Sequence, residues 1–316
     1  MGQAFSAELA RRSIPFRGLS RATVDYSRFE VLLDFLREHR PSFVLNAAGY
    51  IGKPNVDACE NAKGETLHGN VVLPLTVTQA CAVLDVPWGH LSTGCIYNGA
   101  RVRESDGADA PWRLEPDLTR PELRRLFAEH PGRFGGYSES DEPNFSFRHP
   151  PCSFHNGTKV LAEEAIQEVG RGYIWRLRIP FDEQDSPRNV LTKLQKYPKV
   201  HDTINSFSHR GDFARACLDL WTLRAPFGIY NVTNPGGIST RSIVALIQRI
   251  LKPARPFEFF SGDEEFYRTG VQAPRSTCIL DSSKLLAAGV KLRPVEDAFT
   301  EALHRWQPAA RSSLLA

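Results

Sequence analysis

The chain has 316 residues, 41% of them hydrophobic and 24% charged, with a net charge of +3. That length suffices for one large or two moderate domains with a buried core, and the small net charge gives the global field no reason to recruit nucleic acid or a membrane surface. No apolar run approaches the roughly 20 residues of a membrane span, and the N-terminus lacks the basic-then-apolar order of a signal peptide.

Gly2 and Ser6 satisfy a loose myristoylation pattern, but the residues around them continue as a helix. The cysteines, at positions 59, 81, 95, 152, 217 and 278, are scattered without paired or metal-ligand spacing. The expectation is a cytoplasmic, reduced protein without a metal.

Residues 3–12 read as a helix and residues 14–19 as a strand. Phe29, Leu32, Leu33 and Leu36 then form a stripe of period 3.6, and residues 43–48 make an apolar run short enough for a buried parallel strand. Leu73, Val77, Ala80, Cys81 and Leu84 mark the next helix, and the next strand, within residues 86–97, opens at Ser92-Thr93-Gly94. Strand alternating with helix at this spacing argues for an α/β fold with a doubly wound parallel sheet.

Residues 99–152 break the rhythm with charges, prolines and glycines, and only residues 123–129 look helical. The segment reads as an insertion over the strand ends, where the ligand-binding loops of such sheets lie. A helix beginning near Gly157 would carry Leu161, Ala162, Ala165, Ile166 and Val169 on one stripe. At its entrance His155 and Lys159, four residues apart, project from one side. A strand follows at residues 173–179, then helices at 190–196 and 211–223 and a short strand at 229–232. A helix capped by Ser239-Thr240 and a last one running through Trp306 complete the pattern.

Certain of these residues form a recognisable series. Asn46-Ala47-Ala48-Gly49 closes a strand with small residues; Val56-Asp57-Ala58-Cys59-Glu60, Asn70-Val71, Ser92-Thr93-Gly94-Cys95-Ile96-Tyr97 and His155-x-x-x-Lys159 follow in order. The series resembles the extended short-chain dehydrogenase/reductases. Arg178-x-Pro180, Pro187-Arg188-Asn189, Gly228-Ile229-Tyr230-Asn231, Ala273-Pro274-Arg275-Ser276 and Leu280-Asp281-x-x-Lys284-Leu285 extend the likeness through the chain. They are similar to the dTDP-4-dehydrorhamnose reductase group, and within it to the plant-type bifunctional 3,5-epimerase/4-reductases of nucleotide-linked rhamnose.

The resemblance implies a Rossmann-type NAD(P)-binding region over residues 1–180 and a smaller, mainly substrate-binding part over 181–316, with segments near 203–235 returning to the sheet. It implies an NAD(P)-dependent oxidoreductase that reduces a nucleotide-linked 4-keto sugar, and leaves a homodimer open. Thr93 would bond the sugar oxygen, His155 would stand where the family has its proton-exchanging Tyr, and Lys159 would hold the cofactor ribose. Asn46, Ala47, Ala48, Gly49 and Asn70 would line the cofactor, and Arg188, Asn189 and Arg275 the substrate. Arg275 would face a phosphate, a role suited to a planar cation that bonds two oxygens at once.

Two departures from the family pattern stand out. The Gly-x-x-Gly-x-x-Gly turn that cradles a pyrophosphate is represented only by what matches its last glycine, Gly2. The Tyr position reads His155, whose imidazole is shorter in reach than a phenol by on the order of 2 Å, and geometry precedes pKa in such roles. They sustain a second expectation: a catalytically weak or inactive sugar-nucleotide or NAD(P)-binding or regulatory module on the same fold. Arg21, where an acidic residue would select NAD, favours NADPH over NADH.

Overall fold

A computed structural model describes residues 1–107 and 109–309. Its centre is a four-stranded, wholly parallel sheet in which β1 (Val44–Asn46), β2 (Trp88–Thr93), β6 (Gly172–Leu177) and β10 (Gly228–Asn231) lie side by side in sequence order. Each crossover carries a helix: α3 (Leu73–Val83), α5 (Phe154–Ile166) and α7 (Arg210–Thr222). Together with α1 (Gly2–Arg11) and α2 (Phe29–His39) they cover both faces of the sheet. This is the doubly wound α/β architecture that the strand–helix rhythm predicts.

The period-2 alternation of the strands sorts the two layers. Leu91, Tyr173 and Trp175 face α1 and α7, where they meet Phe5, Phe213 and Leu218. Trp88 and Ile174 face the other way, onto Leu32, Leu36, Val77 and Ile166. Two glycines permit this packing. A Cβ on Gly172 would sit 2.1 Å from the ring of Trp88, its partner in the register, and one on Gly89 would sit 2.0 Å from Trp175.

Residues 14–19 depart from the strand expectation. They join no ladder, and Ile14 and Phe16 are 40% and 48% exposed. Pro15 has no N–H to donate, and among the described residues β1 is the edge of the sheet, so neither pairing nor burial holds this stretch as a strand.

The 99–152 excursion holds α4 (Pro121–Glu129) and a small antiparallel sheet of β3 (Ala100–Arg103), β4 (Trp112–Glu115) and β5 (Phe134–Gly135). The sheet was invisible in the sequence because these strands are short and two-sided. A second core forms late in the chain. There β7 (Pro180–Phe181), β9 (Ile204–His209) and β11 (Asn234–Ser239) pack with α6 (Val190–Lys196), α8 (Thr240–Leu251) and α9 (Val295–His304) around Phe181, Phe207, Ile247 and Phe299. Strands β9 and β11 were missed because Ser, Asn, Pro and Gly interrupt their apolar pattern.

Candidate functional site

Toward the carboxyl ends of β1 and β2 the residues facing α5 change from apolar to polar: Trp88 gives way to His90 and Ser92, and Val44 to Asn46. A loop rather than a helix follows β1, and Asn70 fixes it. The Asn70 side chain accepts from the Tyr50 N–H at 2.8 Å and donates to the Tyr50 carbonyl at 2.9 Å. It also donates to Thr158 of α5 at 3.3 Å. Asn46 caps the same loop from its other end, accepting from the Ala48 N–H at 3.0 Å. Ala47 and Ala48 are half-buried and Gly49 is exposed, with room for little more: a Cβ there would lie 3.3 Å from Asn70 Oδ1.

Helix α5 starts where its sequence directs. Ser153 caps it, its hydroxyl accepting from the Asn156 N–H at 3.2 Å, and Glu60 accepts from the Phe154 N–H at 2.7 Å. His155 and Lys159 fall one turn apart and are both buried. Lys159 Nζ donates to the Leu91 carbonyl at 3.0 Å, which places its ammonium under the end of β2. Burial lowers its pKa to about 8, opposed by the carboxylate of Glu163 one turn on. Thr93, the last residue of β2, accepts from the Cys95 N–H at 3.1 Å and so turns the chain out of the strand.

The environment of His155 decides its protonation. Burial is the main cause of a pKa of about 4, with the Lys159 and Arg275 cations pushing the same way and the Asn156 side chain opposing. The ring is therefore neutral at pH 7. A proton delivered from His155 at neutral pH would therefore come from a minor, imidazolium form of the ring.

Beneath these residues lies a buried ion pair that the sequence reading missed. Arg176 of β6 and Glu163 of α5 approach to 2.6 Å with 3% and 5% of their side chains exposed. Ser92 donates to Glu163, and Arg176 donates to the Tyr97 hydroxyl at 2.9 Å. The i,i+4 spacing of Lys159 and Glu163 on one helix face was the signal available.

A cationic group comes from the later part of the chain. Arg188, Lys193 and Arg275 are close enough that the two guanidinium groups, after burial, depress the Lys193 pKa. Arg275 pairs with Asp57 at 2.8 Å through one terminal nitrogen, while its other, Nη1, is buried without an acceptor among the described residues. Tyr267 brackets the Arg275 backbone, and Tyr197 lies within the field of its cation. An anion with two oxygens suits this donor set. Lys193 went unnoticed although it follows Arg188 by little more than a helical turn. In the Thr93 motif, Cys95 Sγ lies 2.6 Å from Arg178 Nη1.

The remaining candidates divide. Asn189 caps α6 and donates to Asp182 and Gln184, so its amide is engaged in the fold. Arg188 is exposed beside it. Gly2 opens α1 with free space around it, no side-chain cap and no acid in the first turn, a suitable seat for a phosphate. Arg21 is exposed in the turn that includes Ser20 and Thr23. The small-residue loop, the uncapped helix start and Lys159 fit a nicotinamide dinucleotide.

The family described as RmlD substrate binding domain matches residues 1–307. A bifunctional dTDP-4-dehydrorhamnose 3,5-epimerase/dTDP-4-dehydrorhamnose reductase of Arabidopsis thaliana is 31% identical over 261 residues, 82% of this chain and 75% of the relative. A trifunctional UDP-glucose 4,6-dehydratase/UDP-4-keto-6-deoxy-D-glucose 3,5-epimerase/UDP-4-keto-L-rhamnose-reductase of the same plant is 30% identical over 84% of this chain, which spans about a third (35%) of that relative's length.

Among solved structures, the UDP-rhamnose synthase of Acanthamoeba polyphaga mimivirus superposes with a TM-score of 0.76 at 21% identity, covering 96% of this chain and 95% of that one. The dTDP-4-dehydrorhamnose reductase of Bacillus anthracis, solved in complex with NADP, gives 0.71 at 19% identity, covering 96% and 94%. The match along almost its whole length, on a sheet wound as the sequence predicts, shows that the chain belongs to the RmlD substrate-binding-domain family, with the dTDP-4-dehydrorhamnose reductases and plant rhamnose synthases as its relatives.

Proposed function

We propose that the chain is a nicotinamide-dependent reductase of a nucleotide-linked 4-keto sugar of the rhamnose type, the sugar carried on UDP or dTDP as in its relatives. The observation that carries the reading is the seating of Lys159 on the Leu91 carbonyl, next to Thr93 and one helical turn from His155. A cation, a hydroxyl and an imidazole in this reading serve the carboxyl end of β2. In this reading residues 1–180 hold mainly the cofactor, along Gly2, Asn46–Gly49, Asn70 and Lys159, and residues 181–316 mainly the substrate. When bound, the cofactor supplies the hydride. Thr93 orients the sugar oxygen, Lys159 stabilises negative charge gathering there, and Arg188, Lys193 and Arg275 hold the diphosphate. Arg21 favours NADPH. The test is NADPH and NADH consumption with UDP- and dTDP-linked 4-keto-rhamnose; a folded protein that turns over neither sugar with either cofactor refutes the reading.

One observation favours a second reading, a sugar-nucleotide or dinucleotide-binding module with little turnover. The pKa of His155, lowered by burial to about 4, leaves the ring deprotonated at neutral pH, with little acid form to protonate the reduced oxygen. Tight binding of NADPH with no consumption would establish it.

A further inference from the structure

His90 lies in β2 directly across from Asn46 in the parallel register and has no exposed surface. The hydrogen bonds around Asn46 define the ring's tautomer. Because Asn46 Oδ1 accepts from the Ala48 N–H, the end of the amide 3.1 Å from His90 Nδ1 is the NH2 group. An amide NH2 only donates, so Nδ1 must be a bare lone pair and the ring proton resides on Nε2. Nε2 is buried without a partner among the described residues. Glu163 of α5 is occupied by Ser92 and Arg176, and Lys159 is the cation whose field reaches the ring. A second ring proton has no acceptor here.

We infer that His90 is a positioning residue for the cofactor loop: its Nδ1 lone pair holds the Asn46 amide in the one orientation that keeps Oδ1 on the Ala48 N–H. The inference rests on the reading of residues 46–49 as a dinucleotide site. Asn70 clamps the loop at Tyr50, and the His90–Asn46–Ala48 relay clamps its start. Without an acceptor at the Nδ1 position the Asn46 amide is free to turn, and the Ala48 N–H loses its partner.

Two substitutions of similar shape separate the lone pair from packing. Asn places an oxygen where Nδ1 stands, whereas Leu places a methyl group there. The experiment measures hydrogen exchange at the Ala48 amide and NADPH affinity by calorimetry for wild type, His90→Leu and His90→Asn, with the 15N spectrum of histidine-labelled wild type at pH 7. The expected results are the Nε2–H tautomer in wild type, and exchange at least about tenfold faster and affinity at least about tenfold weaker in His90→Leu. His90→Asn should stay near wild type in both. An Nδ1–H tautomer, unchanged exchange in His90→Leu, or equal damage in the two variants overturns the inference. Wild type that binds no NADPH or NADH instead refutes the dinucleotide reading of the loop, and the exchange rates and tautomer still decide whether His90 orients Asn46.

Discussion

Arg275 and Asp57, distant in sequence, share an ion pair of 2.8 Å that leaves Arg275 Nη1 buried without an acceptor among the described residues. A partly exposed guanidinium with a spare donor is half of a bidentate anion site. Arg275→Lys keeps the charge and removes the fork, so UDP and dTDP should bind on the order of tenfold more weakly to it than to wild type by calorimetry. Equal affinity would take Arg275 out of the phosphate site.

His155→Tyr restores a hydroxyl one turn before Lys159. Turnover of a nucleotide-linked 4-keto sugar with NADPH should rise by at least about tenfold, the lower part of the range for a positioned acid. No gain with any such sugar removes this position from the chemistry.

The pKa of Lys159 has two consequences of opposite sign. Its folded value of about 8 lies below the ordinary 10.5, so above pH 8 the amine loses the charge that would hold the cofactor. Between about 8 and 10.5 the unfolded chain binds the extra proton, so this group's contribution to stability rises with pH. Cofactor affinity should fall across that window while Lys159→Met, measured alongside, stays flat. Parallel pH curves for the two proteins would contradict the assignment.

His155 contributes at the acid end. With a folded pKa of about 4 against an ordinary 6.5, the unfolded state takes up the proton first as pH falls. This part of the stability is present above pH 6.5 and is lost progressively down to about 4, by roughly 3 kcal/mol in all. Urea midpoints of wild type and His155→Phe should converge across that range.

Glu163→Gln leaves Arg176 charged and buried beside Tyr97. The loss of stability should be about 3 to 5 kcal/mol, read from urea unfolding. It should also lower the Lys159 pKa further, because Glu163 is the group that raises it. A variant within about 0.5 kcal/mol of wild type would show the pair to be solvated.

The sequence made the sheet legible because its buried strands are short apolar runs between strongly periodic helices. The Ser239 cap and the stripes of α2 and α8 located those helices, whereas α5 begins three residues before the expected Gly157, at its Ser153 cap. What stayed hidden depends on long-range pairing. Strands β9 and β11 hold together through each other and through the 277–280 segment, and no local pattern in residues 204–209 or 234–239 reveals that. For the site, His155 and Lys159 were readable from their spacing. The depressed His155 pKa, the occupied Asn189 amide and the buried Glu163–Arg176 pair follow from burial and partners, which exist only in the folded chain.

The segment around Cys278 forms bridges with Gly99 and, at Leu280, with Tyr137, and Asn205 and Ser206 of β9 bond its backbone. It stitches the 99–152 excursion to the sheet and to the second core, and it carries Arg275 at its start. The bonds to β9 span 73 and 74 residues and the bridges to Gly99 and Tyr137 well over a hundred, so their loop-closure cost is settled late. During synthesis the sheet strands leave the ribosome long before residues 275–281 do. A chain stalled before residue 275 would therefore carry all four strands of the sheet but lack the segment that ties the 99–152 excursion to β9.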